Sequence, residues 1–332
     1  MFGRSYRALL RAAKLPSSPP DCRLPSCRRP VMTGEPLKGV PSDSHGNTAT
    51  ITQDPPQALP ELCAQVHARV AAFLRTEPGT ERLRNVQQQS RLSLRILEEA
   101  LDRYSLDELS LSYNGGKDCL VLLILYLSAL HSRFSQTTAL SNLDPTTSAT
   151  NPPPPPHASP VPSLPQTLRS VYIVSQHPFQ QVDDFVLTSS HTYHLSLARY
   201  AKPMKEAFAD YLADEPRVRA IFVGTRRTDP HGQSLQYFDP TDGGWPPFMR
   251  IHPVIDWHYA EIWSFIRHLE IPYCGLYDLG YTSLGGTTDT HPNPALRVVD
   301  ADGEGEGEGK EERFRPAYEL VQDEEERLGR DR

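Results

Sequence analysis

Apolar and polar positions follow regular periods through the middle of the chain. Residues 60–76 and 80–103 repeat apolar side chains at helical spacing and predict two amphipathic helices. Residues 109–113 alternate as in a strand and run into Gly115 and Gly116. A leucine-rich run at 120–130 follows, and its length and composition favour a buried helix. The pattern therefore predicts a strand, a tight loop and a helix at this point.

The same alternation of strands and helices continues downstream. Strand patterns at 170–174, 218–223 and 249–254 are separated by helical patterns near 179–190, 203–214 and 258–269. Strands that alternate with helices predict an α/β fold with an open, mostly parallel sheet and helices on both faces. Ligands of such sheets bind outside the carboxyl ends of the strands. We therefore expect one crevice beside the residues that follow Tyr113, Val174, Val223 and Val254.

Three other segments lack such a pattern. Residues 1–58 are basic and then rich in proline and serine, which predicts a disordered or removable leader. Residues 135–168 hold the consecutive prolines 152–156 and predict a low-complexity insert. Residues 300–312 alternate glycine and glutamate and predict an acidic flexible loop. What remains is a single α/β domain at 59–332, interrupted by the insert and the loop.

Composition and charge exclude several classes of protein. The longest apolar run is about half of the roughly 20 residues that span a bilayer, so no membrane segment is expected. Five cysteines without CxxC spacing argue against a disulfide framework or a four-thiolate zinc site and favour a reducing compartment. The net charge is −7, but residues 300–326 alone hold twelve acids and three bases. No stripe of basic and aromatic residues indicates nucleic-acid binding.

These properties predict a cytoplasmic location. The alternative is mitochondrial, because the first fifteen residues are rich in arginine and free of acidic residues, as transit peptides are.

The loop after the first strand has the features of a phosphate site. Paired glycines allow a turn with positive φ and expose backbone N–H groups, and the following helix adds its positive N-terminal end. The spacing does not match the loop of P-loop nucleotide hydrolases. Residues 112–119 (SYNGGKDC) instead resemble the SGGKDS loop of the PP-loop superfamily, which cleaves ATP at the α-phosphate. Asn114 stands for the serine of that loop and Cys119 for its last residue.

A second cluster of charge follows the strand at 218–223. Residues 224–230 (GTRRTDP) bring two guanidinium groups and one carboxylate to the rim of the expected crevice. Arginine binds phosphate through two parallel hydrogen bonds and does not lose its charge. A solvated basic loop is the alternative, and it becomes less attractive once the glycine loop shares the crevice.

Several longer motifs resemble the eukaryotic FAD synthases, which are FMN adenylyltransferases related to the phosphoadenylylsulfate reductases. They occur in the family's order between about 101 and 330: residues 112–119, 224–230, 245–257 (WPPFMRIHPVIDW), 261–263 (EIW), 271–287 (IPYCGLYDLGYTSLGGT), 292–296 (PNPAL), 314–320 (FRPAYEL) and 326–330 (ERLGR). The resemblance implies transfer of AMP from ATP to the phosphate of FMN, which gives FAD and pyrophosphate, with Mg²⁺ as cofactor. It also implies small-molecule substrates only, and we expect a monomer.

The chemistry implied does not need a strong general base. A phosphate monoester has its second pKa near 6 and is largely dianionic at pH 7. Catalysis then consists of holding two anions in line and neutralising charge on the α-phosphate and on the departing pyrophosphate.

The resemblance also implies roles for individual residues. ATP binding is assigned to Tyr113, Asn114, Gly115, Gly116 and Lys117, with Tyr172, Ile173 and Val174 offering backbone groups to adenine. FMN binding is assigned to Arg226, Arg227, Trp245, Phe248 and Thr282, the last in a loop at 280–287 that is expected to close on substrate. For Trp245 and Phe248, core packing is the alternative. Catalytic roles are assigned to Asp118, Asp229, Arg327 and Arg330.

Asp118 has two open interpretations, a ligand of Mg²⁺ or a helix cap. Arg327 and Arg330 are spaced by three, which places them on one face if the segment is helical.

Two alternative functions remain. A phosphoadenylylsulfate reductase shares the loop but needs a nucleophilic cysteine near its C-terminus, and no cysteine follows Cys274. A non-catalytic nucleotide-binding module is the other alternative, and the carboxylates Asp118 and Asp229 count against it.

Overall fold

The computed structural model describes residues 57–141, 164–298 and 312–331. The strands are β1 (Leu109–Ser112), β2 (Leu168–Ile173), β3 (Leu195–Tyr200), β4 (Ala220–Phe222), β5 (Phe238–Pro240) and β6 (Met249–Ile251). The α-helices are α1 (Leu59–Arg75), α2 (Glu81–Arg103), α3 (Lys117–Ser141), α4 (Gln180–Thr192), α5 (Met204–Asp214) and α6 (Tyr259–His268). Short 3₁₀ helices occupy Gly275–Leu279, Pro294–Leu296, Ala317–Glu319 and Asp323–Glu325.

The six strands form one sheet in the order β3-β2-β1-β4-β6-β5. Every neighbouring pair is parallel except β5 with β6, which is antiparallel. The expected mostly parallel sheet is confirmed. Because β1, β2, β4 and β6 run parallel to one another, their carboxyl ends lie along one edge of the sheet.

Helices cover both faces of this sheet. In β4, Ala220 and Phe222 belong to the larger apolar core, whereas Ile221 points the other way into a second cluster with Phe208 and Tyr211 of α5. This opposition follows from the two-residue period of a strand. Helices α1, α2, α3 and α6 pack on the larger side, and α5 contacts β2 and β3.

Helix α3 is the central element of the larger core. The apolar run at 120–130 is buried throughout, as its composition predicts. The helix is longer than that run, and its first nineteen residues are long and apolar enough to span a membrane by length and composition alone. Since it packs against α1, α2 and α6, we interpret it as a core helix.

Two strands were not predicted from the sequence. Strand β3 lies at the sheet edge and pairs only with β2, so its alternation is incomplete and half of its side chains are partly exposed. Strand β5 has three residues and depends on pairing with β6.

The expected low-complexity segments are only partly within the described residues. Residues 135–141 continue α3, so the insert does not begin at 135 as expected. The leader at 1–56, the proline-rich residues 142–163 and the acidic loop at 299–311 lie outside the described residues.

Gly224 lies where the chain after β4 passes close to the backbone at the start of α3. A Cβ added there would lie 2.8 Å from the backbone nitrogen of Cys119, so Gly224→Ala should force the two elements apart. We expect a loss of about 1–3 kcal/mol in the free energy of unfolding, measured by urea denaturation. The matched control is Gly243→Ala, where nothing lies within 4 Å of the added carbon. Equal stability of the two variants would contradict this packing.

Candidate functional site

A cavity of about 580 Å³ opens at the carboxyl ends of the strands. Its walls include Asn114 after β1, Ile173 at the end of β2, Thr225 after β4 and His252 after β6. These are the positions where an open parallel sheet binds its ligands. The expected crevice is therefore present.

The phosphate loop forms one end of this cavity. Gly115 has a φ of +74°, and a Cβ there would lie 2.7 Å from the side chain of Val186, so the turn requires glycine. The side-chain oxygen of Asn114 accepts from the N–H of Gly116 at 3.0 Å and from the thiol of Cys119 at 2.9 Å. Asn114 therefore fixes the bend and is itself exposed at the cavity.

Cys119 is a structural member of the loop. Burial raises the pKa of its thiol to about 12, so the group is neutral at pH 7 and is not an activated nucleophile.

Lys117 does not line the cavity, which differs from the expectation that its amine meets ATP there. Its side chain is 2% exposed, and its amine donates to the carboxylates of Asp118 and Glu326. Burial disfavours the charged amine, but Asp118 and Glu326 outweigh this effect and raise the pKa of Lys117. Lys117 is therefore a buried, paired cation.

Arg226 is also buried, with an exposure of 0%. One of its terminal nitrogens donates to Glu326, and its Nε lies 2.8 Å from Oδ1 of Asp118. Arg226 and Lys117 thus converge on the same glutamate from two loops of the sheet. Carboxylates of the chain enclose the guanidinium of Arg226, and its expected contact with FMN stays a prediction.

Asp229 completes this group of charges. Its carboxylate accepts from the backbone N–H of Arg226 at 2.8 Å and lies 3.7 Å from the guanidinium of Arg226. Desolvation first, and then the charge of Asp118, raise the pKa of Asp229. Crowding of two carboxylates produces a site that an added cation would stabilise.

The donor set fits Mg²⁺. Asp118 Oδ1 is buried and accepts no hydrogen bond of acceptable geometry, although Arg226 is near. Mg²⁺ is bound in many nucleotide sites by one or two carboxylates together with substrate phosphates. Within the described residues no cluster of three or more His, Cys, Asp or Glu side chains forms a metal site made of protein ligands alone.

Arg227 lies beside Arg226 in sequence but serves the fold. Its Nε donates to Asp256, and its Nη1 donates to the carbonyl of Leu235 at 2.9 Å. The guanidinium of Arg227 therefore ties the loop after β4 to Asp256 after β6, and its expected contact with FMN stays a prediction.

Aromatic side chains form the other end of the cavity. Trp245 and Phe248 both line it, as expected for contact with a flat ring. Phe248 also packs against Phe208 with ring centroids 5.0 Å apart, so its alternative role in core packing holds as well. Met204 of α5 lines the same region and is 56% exposed.

Thr282 does not line this cavity, and its expected role in FMN binding stays a prediction. It is 1% exposed, its hydroxyl donates to the carbonyl of Glu326 at 2.6 Å, and it accepts from Asn293 at 2.8 Å. Its loop is already docked, since Thr287 N–H donates to the carbonyl of His177 at 2.7 Å.

Of the other residues expected to bind ATP, some line the cavity and some do not. Ile173 lines the cavity, and Tyr113 lines it while its hydroxyl donates to Ser189 at 2.8 Å. The hydroxyl of Tyr172 donates to Asp183 at 3.1 Å, and the N–H of Val174 is used by the carbonyl of Tyr200. Ile173 and Tyr113 therefore line the cavity, whereas Tyr172 and Val174 do not.

The two C-terminal arginines do not share a helix face. The segment forms a short 3₁₀ turn at Asp323–Glu325 and then ordinary turns. Arg330 points back to Asp289, at 2.9 Å, and to the carbonyl of Leu284, at 3.3 Å. Arg327 is exposed and has no ion-pair partner among the described residues.

Sequence reasoning missed Glu326, Asp323, Arg250 and His252. Glu326 and Asp323 are hidden in a run of acids that resembles a solvated tail, and no local signal separates them from Glu324 and Glu325. His252 lies directly after β6, and its position after a predicted strand was a signal for the crevice.

The comparisons with known proteins agree with this arrangement. The family of phosphoadenosine phosphosulfate reductase domains matches residues 198–292. The chain is 37% identical over 260 residues to a probable FAD synthase of Schizosaccharomyces pombe, covering 78% of this chain and 84% of that protein. It is 36% identical over 247 residues to the flavin adenine dinucleotide synthase of Saccharomyces cerevisiae, covering 71% and 75%.

Solved structures give the same result. The Candida glabrata FMN adenylyltransferase in complex with FMN and the ATP analogue AMPCPP matches with a TM-score of 0.70 and 29% identity, covering 83% of this chain and 98% of that chain. Yeast FAD synthetase in complex with FAD matches with a TM-score of 0.69 and 30% identity, covering 83% and 100%.

His252 makes stability depend on pH. Desolvation first, and then Arg250, lower the pKa of this histidine to about 4 from 6.5. Between these values the unfolded chain binds a proton that the folded chain does not, so stability is lost as the pH falls from 6.5 towards 4, by up to about 3 kcal/mol. Urea unfolding at a series of pH values should show a flatter profile for His252→Asn. Parallel profiles for both proteins would contradict this assignment.

Proposed function

The chain belongs to the eukaryotic FAD synthase family, and from that premise we propose how its own residues transfer AMP from ATP to FMN, giving FAD and pyrophosphate. The observation that supports the assignment of roles is the cavity itself. It joins the phosphate loop at Asn114 to an aromatic wall at Trp245 and Phe248. A nucleotide offers phosphates to the loop, and a flavin offers a flat aromatic ring to the aromatic wall.

The flavin ring occupies the aromatic end in this proposal. Trp245, Phe248 and Phe208 offer apolar surface, and Trp245 remains 36% exposed, so it has area left to bury against a ligand. Burial of that area excludes water from the flavin and directs its ribityl phosphate towards the strand ends. Arg250 lines the same cavity and has a buried Nε without a partner, which can donate to a flavin oxygen.

ATP binds with its phosphates at the loop 114–117 and the start of α3. The helix end and the loop amides attract the anionic phosphates. Lys117 and Arg226 are buried and paired with carboxylates of the chain, so we assign them a role in holding the loop in place. Arg327 is exposed and free to contact a phosphate, and Arg330 fixes the loop that carries Asp289.

We assign Asp118 and Asp229 to Mg²⁺. Two half-buried carboxylates near one guanidinium leave negative charge that a divalent cation and the ATP phosphates would share. When bound, the ion supplies positive charge at the α-phosphate and at the departing pyrophosphate. The FMN phosphate attacks the α-phosphorus as a dianion, and the chain has only to hold it in line.

We also propose that the enzyme acts as a cytoplasmic monomer on small molecules. The described cysteines 63, 119 and 274 are free and buried, which fits a reducing compartment. The arginine-rich start of the chain keeps mitochondrial import as the alternative.

Purified protein incubated with ATP, FMN and Mg²⁺ should form FAD and release pyrophosphate in equal amounts, as measured by chromatography and a pyrophosphate assay. Riboflavin in place of FMN should give no FAD, because it lacks the phosphate that acts as nucleophile. Chelation of Mg²⁺ should abolish turnover and its return should restore it. Turnover of riboflavin at a rate similar to that of FMN would contradict the phosphate-nucleophile mechanism.

Replacing Asp229 should lower turnover without loss of the fold. In Asp229→Ala one of the two crowded carboxylates is absent, and we expect kcat to fall by more than about tenfold. Asp102→Ala is the control, because this exposed residue pairs with Arg133 on the surface. A wild-type rate for Asp229→Ala would remove Asp229 from the site.

A further inference from the structure

The C-terminal arm, defined as residues 323–330, is attached to the site through its acidic side chains. Asp323 accepts from the backbone N–H of Tyr259 and contacts the ring of His258, both at 2.6 Å. Arg226 lies 3.5 Å from the same carboxylate. The arm therefore begins at the N-terminal end of α6 and runs towards the phosphate loop.

Glu326 makes the central attachment. Its carboxylate accepts from Lys117 of the phosphate loop and from Arg226 of the loop after β4. Its carbonyl oxygen accepts from Thr282, and Asn293 holds the carbonyl of Glu325 at 2.7 Å. With 5% exposure, Glu326 joins the arm to three separate segments of the chain.

The arm is fixed again on the far side of Arg327. A Cβ at Gly329 would lie 2.4 Å from the carbonyl of His291, so the backbone passes closely there. Arg330 is held by Asp289. Arg327 thus lies between two anchored positions, directly after Glu326, with an exposed side chain and no ion pair among the described residues.

A buried ion pair adds little net free energy of folding, because desolvation of both partners offsets their attraction. The ion pairs nevertheless fix one geometry, because Lys117 and Arg226 are both held in place and bind the carboxylate of Glu326 in one position. This geometry determines the path of the C-terminal arm and the position of Arg327.

We propose that Glu326 is a positioning residue for the nucleotidyl transfer, acting through Arg327. Its carboxylate holds the arm against Lys117 and Arg226 so that the guanidinium of Arg327 is presented to the anionic substrate at the phosphate loop. This inference depends on the proposed function of the loop as the ATP site.

The test is a double-mutant cycle on the full chain with FAD formation as the measurement. We expect Glu326→Gln and Arg327→Ala each to lower kcat/KM for ATP by at least about tenfold. The double variant should be no slower than the slower single variant, because the two residues act as one unit. Glu324→Gln, an exposed neighbour in the same acidic run, should retain the wild-type value.

Three results would overturn the proposal. The first is losses that multiply in the double variant, which means that Glu326 acts independently of Arg327. The second is a wild-type kcat/KM for Glu326→Gln. The third is tighter binding of pyrophosphate to Glu326→Gln than to wild type, which means that the glutamate competes with substrate phosphate.

A second variant and a second measurement cover the case in which Glu326→Gln does not fold. Thr282→Val removes the hydroxyl that donates to the carbonyl of Glu326 and accepts from Asn293. It should raise amide hydrogen exchange in residues 323–330 and lower kcat/KM for ATP in proportion, and unchanged exchange and activity would overturn the proposal. Absence of FAD formation by the wild-type enzyme would instead contradict the proposed function.

Discussion

The structure depends on one buried set of ion pairs, in which Lys117 and Arg226 share the carboxylate of Glu326. Lys117 begins α3, Arg226 lies after β4, and Glu326 belongs to the end of the chain. These residues are 0–5% exposed, so water does not solvate their charges. Removal of one partner leaves an uncompensated buried charge, which costs several kcal/mol in known cases. The phosphate loop, the loop after β4 and the C-terminal arm are therefore held in register by a single anion.

This arrangement separates the binding surface from the charges behind it. The cavity wall includes Asn114, Arg250, His252 and aromatic rings, whereas Lys117 and Arg226 are buried and are not among its lining residues. Asp118, Asp229 and Asp323 lie beside Arg226, so carboxylates outnumber the two cations. An excess of negative charge does not attract ATP by itself. In the proposed mechanism, Mg²⁺ that binds together with ATP would offset this negative charge.

The segment shared with phosphoadenosine phosphosulfate reductase domains covers only part of this assembly. The match at 198–292 includes Arg226 and Phe248 but neither Lys117 nor Glu326. The C-terminal arm thus lies outside the matched residues, whereas the FAD synthase relatives align over most of the chain. Lys117 and Glu326, which pair with each other in the buried set of ion pairs, therefore lie outside the residues that match the reductase family.

The sequence by itself determined the α/β class with a mostly parallel sheet, the glycine loop and the family, because periodicity, glycine spacing and ordered motifs are local properties. It placed Asn114, Ile173, Trp245 and Phe248 in the cavity correctly. Only the tertiary structure decided that Lys117 and Arg226 are buried and paired, that Thr282 and Arg227 serve the fold, and that Glu326 differs from the glutamates beside it. The reason is physical: a charge shows its residue type in the sequence, but its partner is chosen by contacts between residues that are 100 and 209 positions apart.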